Sequence, residues 1–159
     1  MFRQLQQQRR VQSEFHVTLI HRAMSSQHQD YWNQLSDMQV KRGAEQNKAE
    51  SSIASHFKPQ LELGKCRVHL ERIVFDDRIM CFVVRLIPVE GSEAEWQTVN
   101  DTAHVTIGTA NQNIKPKESN DLLKRWLQGG SGGQTGIKEV SVQGHVELIG
   151  SVRAVPSRS

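Results

Sequence analysis

Cysteine and long apolar runs are scarce in this sequence, and each scarcity excludes a class of protein. The 159 residues include only two cysteines, Cys66 and Cys81, too few for a disulfide framework or a tetrahedral thiolate site. No apolar stretch approaches the roughly 20 residues that span a bilayer, and residues 1–10 are polar where a signal peptide would be apolar. We therefore expect an intracellular protein, nuclear or cytoplasmic, with no membrane partner.

A strong excess of charge of one sign is also missing. Lys and Arg outnumber Asp and Glu by 20 − 17 = 3, a mild bias that suits a phosphate-bearing ligand but not an extended duplex. Charged residues make up 23% and apolar residues 36% of the 159 positions, which is typical of one folded domain. A monomer is the expected state.

Hydrophobic patterning predicts an α+β fold. Strands are expected at 14–20, 61–75, 78–89 and 103–109, with one or two more inside 137–155. The second and third of these lie on either side of Asp76-Asp77, which predicts a hairpin. Helical spacing runs from Ser25 to Gly43 and again from Leu122 until Gly129-Gly130 stop it, whereas 46–56 is ambiguous. We expect residues 1–12 to form an arm or linker, 13–155 the domain and 156–159 a polar tail.

The two halves of the chain share an order of elements. Each has a strand bearing His-Val-Thr, a short connector and an amphipathic helix with a central tryptophan, Trp32 or Trp126. The first triplet is His16-Val17-Thr18 and the second triplet is His104-Val105-Thr106, so they lie 104 − 16 = 88 residues apart. This order hints at an internal duplication in which two lobes face each other across a cleft.

Each triplet places an imidazole and a hydroxyl side by side, because strand residues i and i+2 project from the same face roughly 6 to 7 Å apart. Two imidazoles and two hydroxyls around one phosphate are what hydrolysis of a cyclic phosphodiester requires. A neutral imidazole takes a proton from the attacking water, and a protonated one gives a proton to the departing ribose oxygen. The hydroxyls donate hydrogen bonds to the nonbridging oxygens. This chemistry needs no metal and no cofactor.

A single His-x-Thr triplet is usually structural, and it is the presence of two on matched strands that favours a functional site. His69 and His145 are followed at the second position by glutamate where a triplet would need threonine, so a structural role is favoured for both. The remaining histidines show no ligand-like spacing, and we predict no metal site. They are His21, His28 and His56.

Three segments resemble a known family. They are Phe15-His16-Val17-Thr18-Leu19-Ile20-His21-Arg22, Ala103-His104-Val105-Thr106-Ile107-Gly108-Thr109-Ala110 and Ile114-Lys115-Pro116-Lys117-Glu118-Ser119-Asn120. The paired triplets resemble the two-histidine phosphoesterase superfamily. The Gly-Thr-Ala continuation and the Lys-Pro-Lys-Glu-Ser-Asn segment are similar to the C-terminal cyclic phosphodiesterase domain of fungal tRNA ligases. The resemblance covers about Ser13 to Val155.

The resemblance implies a bilobal fold in which two antiparallel sheets with flanking helices form a central cleft. It also implies an enzyme of tRNA splicing that opens the 2′,3′-cyclic phosphate of a tRNA exon, leaving a 3′-hydroxyl and a 2′-phosphate. His16 is then the general acid and His104 the general base, although these labels can be exchanged, while Thr18 and Thr106 hold the phosphate.

The resemblance also implies partners for this domain. Kinase and ligase domains belong to the parent chain of the family, but this sequence has no GxxxxGK[ST] phosphate loop and is too short for a ligase.

Lys115, Lys117 and Arg22 are candidate contacts to flanking RNA phosphates. Phe15 and Trp96 are candidate base-stacking residues, with core packing favoured for both.

Two alternatives remain open at this point. One is another enzyme of the same scaffold, either an RNA 2′-5′ ligase-like protein or a 3′-end trimming phosphodiesterase. The other is a noncatalytic module that binds RNA ends and holds phosphate without turnover. The chemical terminus of the product separates the enzymes, and unreacted but bound RNA identifies the binding module.

Overall fold

A computed structural model describes residues 1–50, 61–90 and 95–155 and shows an α+β fold, as predicted. The predicted tail at 156–159, His56 and most of the ambiguous segment at 46–56 lie outside these residues. The helices are α1 (Phe2–Gln7), α2 (Gln29–Glu50) and α3 (Ser119–Gly129). The strands are β1 (Glu62–Phe75), β2 (Ile79–Pro88), β3 (His104–Thr109), β4 (Lys138–Ser141) and β5 (Glu147–Arg153).

The β1/β2 hairpin predicted around Asp76-Asp77 is confirmed and forms the centre of the sheet. Its register runs from Cys66 opposite Pro88 to Phe75 opposite Met80. The buried Asp76 carboxylate accepts hydrogen bonds from the backbone N–H groups of Arg78 and Ile79, at 2.8 and 3.0 Å. Aspartate is favoured in turns because its side chain can accept such bonds from the backbone.

Within the described parts of the chain the named strands form one antiparallel sheet of five strands. The order is β3-β2-β1-β4, and β5 pairs with the other half of β1. One or two closing strands were expected within 137–155, and the structure has two, β4 and β5. The second sheet and the bilobal arrangement stay predictions.

Alternation along β2 divides the core between the two faces of the sheet. Ile79, Cys81 and Val83 pack with α3, whereas Met80 and Phe82 pack with α1. Such alternation follows from the two-residue period of a strand. Beyond them on the α1 face, Trp96 and α2 cover the first half of β1. Helices therefore cover both faces, and none in the described ranges is long and apolar enough to cross a membrane.

Two sequence-based expectations about helices need correction. Helix α2 does not end at Gly43 but continues to Glu50, because one glycine costs a helix only about 1 kcal/mol and good helix formers follow it. Residues 1–12, expected to be an arm or linker, lie against the sheet: Leu5 is buried with Met80 and Ile107. The end of α3 at Gly129, with Gly130 at a φ of +68°, is as predicted.

Candidate active site

The two triplets lie next to each other because Val17 and Val105 form an isolated antiparallel bridge. The strand predicted at 14–20 is reduced to this bridge. Thr98 Oγ1 donates to the Thr18 carbonyl at 2.9 Å and Val99 N–H donates to the Leu19 carbonyl at 2.8 Å. After the bridge at Val17, the chain therefore forms its hydrogen bonds with residues 98–99 and no longer with β3.

The bridge determines where the four polar side chains of the triplets point. Bridge partners project from the same face, so the residues that flank them project from the opposite face. Antiparallel order also sets His16 beside Thr106 and Thr18 beside His104. The two imidazoles are close enough that the charge of His16 contributes to lowering the pKa of His104.

His104, the first residue of β3, has a defined tautomer and a perturbed acidity. Its Nδ1 lies 2.8 Å from the Thr102 carbonyl, which can only accept, so the proton is on Nδ1 and the lone pair on Nε2. Burial is the largest cause that lowers the pKa of His104 below its ordinary value, and the bond to Thr102 opposes it. A neutral imidazole with a free Nε2 has the properties of a general base.

The hydroxyl of Thr106 is already engaged. Its Oγ1 lies 2.8 Å from the Oγ of Ser119 and 3.2 Å from the carbonyl oxygen of Pro116, to which it donates. Ser119 is completely buried at the start of α3 and also contacts the thiol of Cys81. Sequence reasoning did not assign Ser119 to the site, although it is part of the helix start and of the third family-like segment.

The first triplet is more open than the second. His16 and Thr18 have exposed side chains, whereas His104 and Thr106 are half-buried. Phe15, next to His16 in the chain, is also exposed, at 56%, so the core packing favoured for it is wrong. Trp96 is buried in the core and donates its indole N–H to the Lys65 carbonyl at 3.0 Å, so core packing accounts for it.

The predicted RNA-contacting lysines lie at the entrance of α3. Lys115 and Lys117 are exposed and flank Pro116, whose carbonyl oxygen contacts Thr106. Glu118 accepts from the Lys115 N–H at 2.8 Å and pairs with Arg78 at 3.0 Å, which holds this turn. Arg22 begins a short 3-10 helix, Arg22–Met24, and is exposed. Their contacts with RNA remain a prediction.

An open cavity of about 250 Å³ adjoins the second triplet. Thr102, which binds His104, and Asn120, which follows Ser119, both line it. The remaining lining residues are Met24, Val99, Asn100, Asp101, Leu123 and Lys124. The cavity therefore offers amide, carboxylate and ammonium groups beside the residue that binds the His104 imidazole.

The sequence of this chain is similar to a known protein family and to a known fungal protein. Residues 1–155 match the family described as the fungal tRNA ligase phosphodiesterase domain. The chain is 31% identical over 119 residues to tRNA ligase 1 of Schizosaccharomyces pombe; the match covers 73% of this chain and 13% of that protein.

A solved structure described as a fungal RNA kinase shares the fold at a TM-score of 0.58. The identity is 20%, and the match covers 93% of this chain and 38% of that one. The family match indicates that this chain is a cyclic phosphodiesterase. It belongs to the fungal tRNA ligase phosphodiesterase domain family.

Proposed function

We propose that this domain hydrolyses the 2′,3′-cyclic phosphate at the end of an RNA, a tRNA exon, to a 3′-hydroxyl and a 2′-phosphate. The observation that carries the proposal is the Val17–Val105 bridge, which sets two imidazoles and two hydroxyls on one face. The family match supports an end-healing role in tRNA splicing, and the RNA substrate follows from that role.

In the proposed mechanism His104 is the general base. Its Nε2 takes a proton from a water molecule while the water oxygen bonds to phosphorus. The bond from phosphorus to the ribose O3′ breaks, and protonated His16 gives its proton to that oxygen. The low pKa of His104 and its Nδ1–H bond to Thr102 support this assignment. The exposed side chain of His16 suits the charged partner because water solvates an imidazolium there.

The two threonines would bind the nonbridging oxygens, on which negative charge builds as phosphorus becomes five-coordinate. The Thr106 hydroxyl has one hydrogen, which now points at the Pro116 carbonyl over a long 3.2 Å contact. On binding, that hydrogen turns to the phosphate while Ser119 donates to the Thr106 oxygen and keeps it in place. Ser119 is thus a positioning residue in this scheme.

The terminal nucleotide would occupy the cavity beside Thr102 and Asn120, with flanking phosphates near Lys115, Lys117 and Arg22. The match covers 13% of the length of tRNA ligase 1. We propose that the partners of this domain are kinase and ligase domains of the same parent chain. We also propose that the domain is monomeric and acts in the nucleus or cytoplasm.

The test is to incubate the purified chain, with EDTA present, with a short RNA that ends in a 2′,3′-cyclic phosphate. A 2′-phosphate terminus is the expected product. A 3′-phosphate would keep the two-histidine chemistry and reverse the leaving group, which contradicts the proposed product. Unreacted RNA that still binds would replace the proposal with a noncatalytic end-binding module.

A further inference from the structure

A second cluster of chemistry-bearing side chains lies at the middle of β1, where β5 begins to pair with it. His69 on β1 is the register partner of Glu147 at the start of β5, and such partners share a face of the sheet. His145 lies two residues before Glu147, just after a turn at Gly144 whose φ is +77°. The structure therefore joins two histidines that are 145 − 69 = 76 residues apart.

The three side chains converge. The rings of His69 and His145 stack with their centroids 4.6 Å apart and an angle of 28° between their planes. His145 Nε2 lies 2.8 Å from Glu147 Oε1. One donor atom from each of the three residues lies within 4.8 Å of the other two. Tetrahedral ligands about 2.0 to 2.1 Å from zinc are separated by a little over 3 Å, so on binding the three donors would move closer together and the stacked rings would turn toward the ion.

One nitrogen of this cluster lacks a partner. His69 Nδ1 is buried, and nothing in the described ranges forms a hydrogen bond with it. Buried polar atoms in folded proteins are nearly always paired, so an unpaired one calls for a partner such as a water molecule or an ion. A metal ion bound by this imidazole would satisfy the nitrogen.

We propose that His69, His145 and Glu147 form a binding site for a divalent transition metal ion of the zinc class. Two imidazoles and a carboxylate are the donors that such ions prefer, whereas magnesium and calcium prefer oxygen ligands. Arg67 Nη1 lies 3.9 Å from Glu147 Oε2, so the carboxylate oxygen that faces the histidines is Oε1, and an ion would replace its present contact with His145. The guanidinium also opposes the positive charge of the ion, so we expect moderate affinity.

The proposed ion is structural. It joins β1 to β5, and β2 separates β1 from the strand that carries His104. Neighbouring strands are about 4.8 Å apart, so the metal site lies on the order of 10 Å from the second triplet. The proposal does not depend on the proposed function, because none of its residues belongs to the triplets.

Calorimetric titration tests the site directly. The chain is treated with EDTA, desalted and titrated with zinc chloride; we expect one ion per chain in this site. Loss of an outer-shell partner of a metal ligand costs about 10- to 100-fold in affinity, so His69→Gln and His145→Gln, which each remove a ligand, should weaken binding by roughly a hundredfold or more. His28→Gln, a histidine outside the cluster, should bind as the unmodified chain does. Equal affinity in His69→Gln and the unmodified chain would overturn the proposal.

Two further measurements distinguish this site from zinc binding at the triplets and from misfolding of a variant. Zinc binding should persist in His104→Ala, and its loss there with retention in His69→Gln would place the ion at the triplets and reject the proposed site. Because a variant can fail to fold, the unmodified chain is also labelled with diethyl pyrocarbonate and mapped by mass spectrometry. Zinc should protect His69 and His145 but not His28, and equal labelling with and without zinc would refute the site.

Discussion

The hydroxyl oxygens of Ser119 and Thr106 lie 2.8 Å apart, which ties the start of α3 to the middle of β3. Ser119 has no exposed surface and also contacts Cys81, whose pKa is raised by burial to about 12. That thiol is therefore protonated and inert at neutral pH. A buried serine between a phosphate-binding threonine and the core can fix the threonine oxygen before substrate arrives.

Replacing Ser119 tests this relationship. Ser119→Ala should lower kcat on the order of tenfold with a smaller change in KM, because fixed donors act on charge that develops in the transition state. Steady-state kinetics on a cyclic-phosphate RNA provides the measurement. Ser36→Ala is the matched control, since Ser36 Oγ donates to the Trp32 carbonyl within α2. A change confined to KM would contradict the positioning role.

The two imidazoles should each be needed for turnover. His16→Ala and His104→Ala are expected to lower kcat/KM by about 10² to 10⁴, as removal of a general acid or base does. Circular dichroism should show unchanged folds, and His28→Ala should retain its activity. Near-normal rates in either triplet variant would reject acid–base catalysis by this pair.

The lowered pKa of His104 predicts a pH dependence of stability. The native state favours the neutral imidazole, so the stability that His104 contributes is fully present above a pH of about 6.5, which is the pKa of histidine in the unfolded chain. It is lost as the pH falls from there toward the lower native pKa, because the unfolded chain then binds more protons. Urea unfolding at several pH values measures this trend. His104→Gln should make the free energy of unfolding depend less on pH. An unchanged dependence would mean that His104 does not cause the trend.

Removal of the charge on His16 should raise the pKa of His104. In His16→Asn the pKa of His104, followed by NMR, should rise but stay below its ordinary value, because burial is the larger cause. A matched His28→Asn variant should leave it unchanged. An unchanged pKa of His104 in His16→Asn would mean that the two imidazoles do not interact.

The turn between β1 and β2 should contribute strongly to stability. Asp76 accepts two backbone N–H groups and pairs with Arg125 at 2.9 Å, so Asp76→Ala leaves these donors unpaired. We expect a loss of about 2 to 4 kcal/mol in the free energy of unfolding. The exposed neighbour Asp77 is the control, and Asp77→Ala should change it by about 0.5 kcal/mol or less. Similar values for both variants would contradict this role.

Contact between residues 1–12 and the catalytic strand can be tested at Gly108. A Cβ added there would lie 2.5 Å from the Arg10 carbonyl oxygen and 3.2 Å from Leu5. Gly108→Ala should therefore cost on the order of 1 to 3 kcal/mol and speed cleavage of this segment by trypsin. At Gly150 the nearest atom would be 3.9 Å away, so Gly150→Ala serves as the control. Unchanged proteolysis would show that the segment does not pack on β3.

The sequence alone determined the features that depend on local order. Alternation and turn residues located the β1/β2 hairpin, and Gly129-Gly130 located the end of α3. Two His-Val-Thr triplets indicated the superfamily and its candidate chemistry, and the segments that follow the second triplet indicated the family, which the family match confirms. Local pattern failed at 14–20, where hydrogen bonds to Thr98 and Val99, 80 residues away, replace a strand.

Only the tertiary structure decided what depends on contacts distant in sequence. It aligned the triplets through Val17 and Val105, and it buried His104 against the Thr102 carbonyl, which sets its tautomer and lowers its pKa. It also joined His69 to His145, which the sequence separates by 76 positions and for each of which the sequence favoured a structural role. Strand register and burial are properties of the packed chain, so no window along the sequence contains them.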